Sequence, residues 1–366
     1  MTKNKWITFA TALLLTPTLG CVPIDEGDDN TNGGGTGGGI IDAPRTVAGD
    51  TVWEAGTYIL PREFYVEGTL TIAPCTEVRV NDRFWVRNGG NIVAIGDDDC
   101  PIVFTSTSAN PSSGDWRFID IQETAGNDNV FEHVVFEYGG NRDGALQVRS
   151  RTAFRDVALR EINEQAIRVF DEARLTDFSN ISFDSVEGYP LVITPNEVAA
   201  IDGITTSNVT NNAIRIQGGE LTRNSVWTAQ SIPYEFSGNF NSDYYSSAAL
   251  RLEEGVRLKL ATGFRLFIRD NGSLHTEGTA ENPVIIESLR SSPEAGDWAE
   301  ISLANSADSS SFTWTTIRHG GRNSNGAIET NVSITLDNVI FENNANCDLK
   351  GSESNITATN TTFEAC

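Results

Sequence analysis

The sequence predicts an all-β fold, a parallel β-solenoid with an internal duplication. Three observations carry that expectation. Gly114-Asp115-Trp116 returns as Gly296-Asp297-Trp298, 182 residues later, with its surroundings in the same order. Within the long repeat, a strand-like apolar triplet recurs every 23 or 24 residues. No long stretch carries the i, i+3, i+4 spacing of an amphipathic helix. Repeats of this kind fix an architecture before any single motif is read, because each unit has to bury its face against the next.

The long repeat extends well beyond its tryptophans. Val86-Arg87-Asn88-Gly89-Gly90-Asn91-Ile92 matches Ile268-Arg269-Asp270-Asn271-Gly272-Ser273-Leu274, and Pro101-Ile102-Val103-Phe104 matches Pro283-Val284-Ile285-Ile286. Tyr138-Gly139-Gly140 matches His319-Gly320-Gly321, and Gly144-Ala145-Leu146 matches Gly326-Ala327-Ile328. The short repeat is the triplet Phe131, Val134, Phe136, followed by Phe154, Val157, Leu159, then Phe178, Ile181, Phe183, then Ile201, Ile204, Thr206. A second file, Leu146/Val148, Ile167/Val169, Leu191/Ile193 and Ile214/Ile216, runs in step with it. Leu336, Val339, Phe341 and Ala358, Thr361, Phe363 repeat the triplet near the end of the chain. Apolar residues at i and i+2 around a polar one have the period of a strand with one buried face. Asparagines such as Asn180, Asn208, Asn338 and Asn343 fall between the files, where they suit turns. A period near 23 is too short for a propeller blade, and the regular leucines of a leucine-rich repeat are missing. A solenoid with one rung per repeat remains. Roughly a dozen rungs at about 4.8 Å each predict a rod of about 55–65 Å.

Taken along the chain, residues 1–20 form an expected export signal: Lys3 and Lys5, then an apolar run from Trp6 to Leu15, then Gly20 before Cys21. The run is too short to span a membrane as a helix. Thr18-Leu19-Gly20-Cys21 resembles the lipobox of bacterial lipoproteins, which implies acylation of Cys21 and an address at the outer membrane or cell surface. Residues 21–48 are then expected to be a lipid-anchored flexible tether, with Asp25 to Gly39 rich in acid and glycine and offering nothing to bury. The first solenoid copy is placed at 49–226 and the second at 227–366, as one continuous rod.

Four further cysteines, Cys75, Cys100, Cys347 and Cys366, pair by proximity at separations of 25 and 19 residues, each close to one rung. Neighbouring rungs bring equivalent Cα atoms to about 4.8 Å, within disulfide range. Cys75 and Cys100 align with Gly255 and Asn282, so the second copy lacks both partners together. A bridge of that length contributes about 3.5 kcal/mol on a chain-entropy estimate. Zinc is the competing use, but no C-x-x-C spacing is present.

The chain carries 26 basic and 50 acidic residues; without Lys3 and Lys5 the count is 24 against 50, a net charge near −26. Nucleic acid is therefore an unsuitable partner, since its capture needs a basic face. Acidic polysaccharides are disfavoured for the same reason unless calcium bridges the two surfaces, and calcium is the only cofactor left open.

The pattern from Trp53 and Tyr58 through Leu70-Thr71-Ile72, Gly90, Pro101-Ile102-Val103-Phe104 and Gly114-Asp115-Trp116 to Tyr138-Gly139-Gly140 resembles the right-handed parallel β-helix repeat lipoproteins of Gram-negative bacteria. Trp227, Tyr234 and Leu250 to Gly255 open the second copy in the same style. The broader likeness is to the pectin-lyase-like superfamily, which implies a polysaccharide hydrolase or lyase as one reading. The residues give it little support. The resemblance asks for Asn-Thr-Asp, which is absent; His319-Gly320 answers to Tyr138-Gly139, an aromatic-Gly-Gly turn; Arg215-Ile216 is followed by Gln217 rather than Lys. Asp97-Asp98-Asp99 lacks a partner motif and the oxygen spacing of a calcium loop. Asp115 and Asp297 precede duplicated tryptophans and suit turns.

A non-catalytic binding or adhesion rod is the reading preferred, with glycans or surface proteins as partners, and a purely structural envelope component is the third. Alternation turns Trp85 outward between Phe84 and Val86; its counterpart is Phe267, and Trp314 adds an aromatic at a bend, aligned with His133. Outward aromatics stack on sugars or anchor proteins, unless a loop folds over them.

Overall fold

In the computed structural model, residues 39–217, 219–237, 243–322 and 324–366 are described. The chain divides into Met1–Gly37, outside that set, and Gly38–Cys366, which forms the solenoid. Its strands are mostly short, parallel and stacked rung on rung, with only 3% helix. One sheet of 13 strands runs the whole length. An 11-stranded sheet covers the other two faces of the first half, and two six-stranded sheets cover them in the second. Twelve strand spacings along the long sheet give a length of about 58 Å.

The two-residue period explains the strands. Glu63–Val66, Thr69–Ile72, Glu77–Val80 and Arg83–Val86 each alternate a partly exposed residue with a buried one. The inward residues stack in the register that the apolar files predict: Phe131 faces Phe154, which faces Phe178, which faces Ile201. Val134, Val157, Ile181 and Ile204 form a second column, and Leu146, Ile167, Leu191 and Ile214 a third. Rings stack along these columns, as Phe131 on Phe154 at 5.3 Å and Phe104 on Phe136 at 4.9 Å. Outward residues pair by charge between rungs, as Arg155 does with Glu132 and Asp177. Such pairs are half-exposed and contribute little each.

The long strands bend at single residues in the left-handed region. His133, Asp156 and Asn180 (φ 49°, 51° and 55°) occupy one such corner in successive rungs, followed by Gly203. The Asn180 amide donates to Asp156 at 3.0 Å, so the corner is tied along the axis. Trp314, Asn338 and Asn360 repeat the corner in the second half.

Two features go beyond the sequence expectations. Within the stretch expected as tether, Ile40–Asp42 and Thr46–Val47 are strands, paired with Thr57–Ile59 and with Glu63–Val66. Their register was not visible because all three residues of Ile40–Asp42 are exposed, leaving no alternation to read. The duplication is also not a whole number of rungs. In the first half the long sheet takes Arg83–Val86 and Phe118–Ile121, whereas in the second it takes Arg257–Leu260 and Val284–Ser288. Those two strands answer to Glu77–Val80 and Ile102–Ser106, which lie in the 11-stranded sheet. The second copy is therefore set one face further round the rod. The change occurs near the 3₁₀ helix Pro195–Ala200, where the 11-stranded sheet ends and Glu220–Leu221 and Ser225–Trp227 start the two shorter sheets.

Candidate functional site

The duplicated Gly-Asp-Trp motifs are structural in both copies. The Trp116 indole donates to the carbonyl of Glu137 and the Trp298 indole to that of Arg318, both at 2.8 Å, and both rings are fully buried. Each ring lies against a glycine backbone: a Cβ on Gly139 would meet Trp116 at 2.4 Å, and one on Gly320 would meet Trp298 at 2.5 Å. That contact explains the aromatic-Gly-Gly pattern, whose first residue, Tyr138 or His319, has φ 65°. Asp115 accepts from Ser106 Oγ and from the Ser112 backbone and hydroxyl; Asp297 accepts from Ser288 Oγ, the Glu294 amide and Arg290. Burial pushes both carboxyls up, but these donors outweigh it and hold them below the ordinary aspartate range. Both aspartates brace turns, as their sequence context predicts.

The acidic triplet is likewise a turn. The Asp97 carboxylate accepts the Asp99 amide at 3.1 Å, and Asp98 contacts His133 at 3.1 Å. In the second copy Thr279 Oγ1 accepts the Asn282 amide at 3.1 Å and closes the equivalent turn. Among the described residues no group of three His, Cys, Asp or Glu side chains is placed to hold a metal ion. His275 is hydrogen-bonded to Ser273 and Ser311, and burial lowers its pKa.

The four solenoid cysteines form Cys75–Cys100 and Cys347–Cys366, with Cα atoms 4.7 and 5.5 Å apart. Cys21 lies outside the described residues.

The outward aromatics are more organised than the sequence indicated. Trp85 stacks on Tyr65 of the preceding rung, centroids 5.0 Å apart and planes 11° from parallel, and meets the edge of Phe118 on the next. Arg87 lies 3.8 Å over Tyr65. The second copy repeats the group: Phe267 packs edge-on against Tyr245 at 5.7 Å, and Arg269 lies 4.5 Å over Tyr245. Tyr65 and Tyr245 are the partners that sequence reasoning missed. The available signal was position, one rung before Trp85 and Phe267 at the same point of the strand. Because the copies differ by one face, Tyr65 and Trp85 lie on the long sheet and Tyr245 and Phe267 on a six-stranded one. Trp314 joins neither group. It is 37% exposed at the corner position that His133 takes in the first copy.

No protein-family model, curated protein or solved structure matches this chain. Any functional reading therefore rests on its own surface.

Three clefts bear on that reading. One of 330 Å³ surrounds Glu197, a buried carboxylate that accepts the Leu175 amide at 2.7 Å and pairs with Arg223. Burial raises its pKa. Its bonds tie the strand Arg174–Val186 to the turn between Glu220–Leu221 and Ser225–Trp227, so it stabilises the place where the sheets change over. A second, of 430 Å³, is lined by Glu123, Glu172, Arg149, Arg151 and Arg174, and there two carboxylates and three arginines meet. A third, of 220 Å³, opens on the outer side of the long sheet and is lined by Arg168 and Arg215.

Proposed function

We propose that this protein is a surface-anchored, non-catalytic binding rod of a bacterial envelope, with glycans or surface proteins as its partners. The observation that carries the reading is the pair of outward aromatic–arginine groups, Tyr65/Trp85/Arg87 and Tyr245/Phe267/Arg269. Rings held on a rigid sheet, stacked in the first group and edge-on in the second, are pre-organised for contact with a sugar or a side chain, so little ordering cost opposes binding. The anchor in this proposal is Cys21, read from its lipobox-like context and the glycine-rich stretch behind it. The likeness to β-helix repeat lipoproteins belongs to the same proposal.

The experiment is a glycan and surface-protein binding screen with wild type and Trp85→Ala. Loss of one stacked ring is expected to weaken a bound partner about tenfold. A partner held equally well by Trp85→Ala and by Tyr65→Ala would remove the aromatic site. For the anchor, Cys21→Ala is expected to release the protein from the membrane fraction, and unchanged membrane association would contradict lipidation.

Catalysis is the second reading, favoured by the cleft that holds Glu123 and Glu172. Glycoside hydrolysis uses a pair of carboxylates. Against it, Asn-Thr-Asp is absent, the His319-Gly320 and Asp97-Asp98-Asp99 segments are turns, and Asp115 and Asp297 brace turns beside buried tryptophans.

A further inference from the structure

On the outer side of the long sheet, Arg168, Val192 and Arg215 follow one another on successive strands. The outer two side chains are long and cationic, while the middle one is short, apolar and 4% exposed. With the two arginines about 9.6 Å apart along the axis, they form the walls of a trough whose floor is Val192. Gln165, Gln217 and Ser237 complete its lining, and its volume is 220 Å³. That is room for a small ligand group rather than a single water.

The charges in the trough are incompletely matched. Arg168 Nε donates to Gln217 Oε1 at 3.0 Å, and its guanidinium lies 4.5 Å over Phe170. Its carboxylate neighbour is Asp143, 3.7 Å away and mostly exposed. Arg215 lies 5.3 Å over Tyr189. Glu235, opposite Arg215 on the next strand, is the nearby carboxylate on that side and accepts from the Tyr189 hydroxyl at 2.6 Å. Burial lowers the Arg168 pKa, and Arg149 and Arg215 add like-charge repulsion. Gln165 Oε1 and Ser237 Oγ, both in the lining, are buried and have no hydrogen-bond partner among the described residues. An arginine cluster is an unexpected feature in a chain of net charge −24. Planar guanidinium groups favour oxoanions through charge-assisted hydrogen bonds.

We propose that this trough binds an oxoanion, a carboxylate or a sulfate or phosphate group, held between Arg168 and Arg215 over Val192, with a ligand hydroxyl or bound water donating to Gln165. None of these residues belongs to the aromatic groups, so binding here and binding at Trp85 stand or fall separately.

The test is a calorimetric titration of the full chain with acetate, inorganic sulfate and inorganic phosphate, at ionic strength held constant with chloride. Saturable binding to at least one oxoanion is expected. Acetate alone would assign a carboxylate site, and sulfate or phosphate alone a tetrahedral one. Arg215→Gln should weaken binding about tenfold or more, as expected for loss of a charged hydrogen bond. Lys259→Gln, which removes a cation from the same sheet outside the trough, should leave it unchanged. In wild type, the Nε–H resonances of Arg168 and Arg215 should shift during the titration, a readout that needs no variant to fold. No response beyond that of chloride, or equal binding by a folded Arg215→Gln, would overturn the proposal.

Discussion

Cys75 has φ 62°, in the left-handed region, at the point where the second copy has Gly255 with φ 76°. The two positions make the same backbone bond, Cys75 N to Cys100 O and Gly255 N to Asn282 O. A side chain in that conformation costs about 1 kcal/mol relative to glycine. The first copy therefore accepts a strained cysteine and offsets it with a crosslink. Cys75→Gly should be more stable than Cys75→Ala by about 1 kcal/mol in urea denaturation, although both lose the disulfide. Equal stabilities would show that the conformation carries no strain. Asp297 offers a second test at this scale. Its folded pKa lies below the ordinary value of 3.8, so its contribution is complete above that value and is lost as pH falls through the lower folded pKa. Asp297→Asn should lower stability at neutral pH by about 1–3 kcal/mol. The variant's stability should also fall less steeply than that of wild type below pH 3.8. Parallel acid-unfolding curves would contradict the assignment.

At the scale of elements, tight approach of backbone to ring fixes where each turn closes. Gly320 has ordinary backbone angles, so only space forbids a side chain there: the Trp298 ring is fully buried and cannot move aside. Gly320→Ala should cost about 2 kcal/mol or more, as overpacking does. Gly49→Ala, with nothing within 4 Å of the new atom, should be neutral. Thermal denaturation of the two variants checks the contrast. The strands that the sequence revealed were those with an apolar file to follow, such as Phe131, Phe154 and Phe178, because one buried face per strand leaves a period of two. Ile40–Asp42 has no buried face and left no such trace. The stacking of Trp85 on Tyr65 and the trough between Arg168 and Arg215 were hidden for another reason. Outward residues obey no hydropathy rule, and their contacts join rungs rather than neighbours in sequence.

For the whole molecule, the offset of one face between the copies decides what the surface can do. Residues repeated in sequence do not line up along the rod, so Trp85 and Phe267 cannot form one extended ladder for a single straight polymer. The proposed binding rod instead presents two short aromatic sites on different faces, and the long sheet adds an arginine trough of its own. The internal repeat made the solenoid legible and also protected against reading catalysis into single residues, since His319 and Asp97 each had a counterpart of different chemistry at the same turn. It could not reveal the phase of the second copy, because that depends on how the sheets change over around Pro195–Ala200 and not on either repeat. Binding without cutting is the central claim. The most direct measurement incubates the purified protein with homogalacturonan, alginate and any glycan it retains, with and without calcium, and follows chain length. No shortening is expected, and retention of a bound glycan should be lost in Trp85→Ala. Measurable depolymerisation that disappears in Glu172→Gln or Asp115→Asn would contradict the binding rod and establish an enzyme.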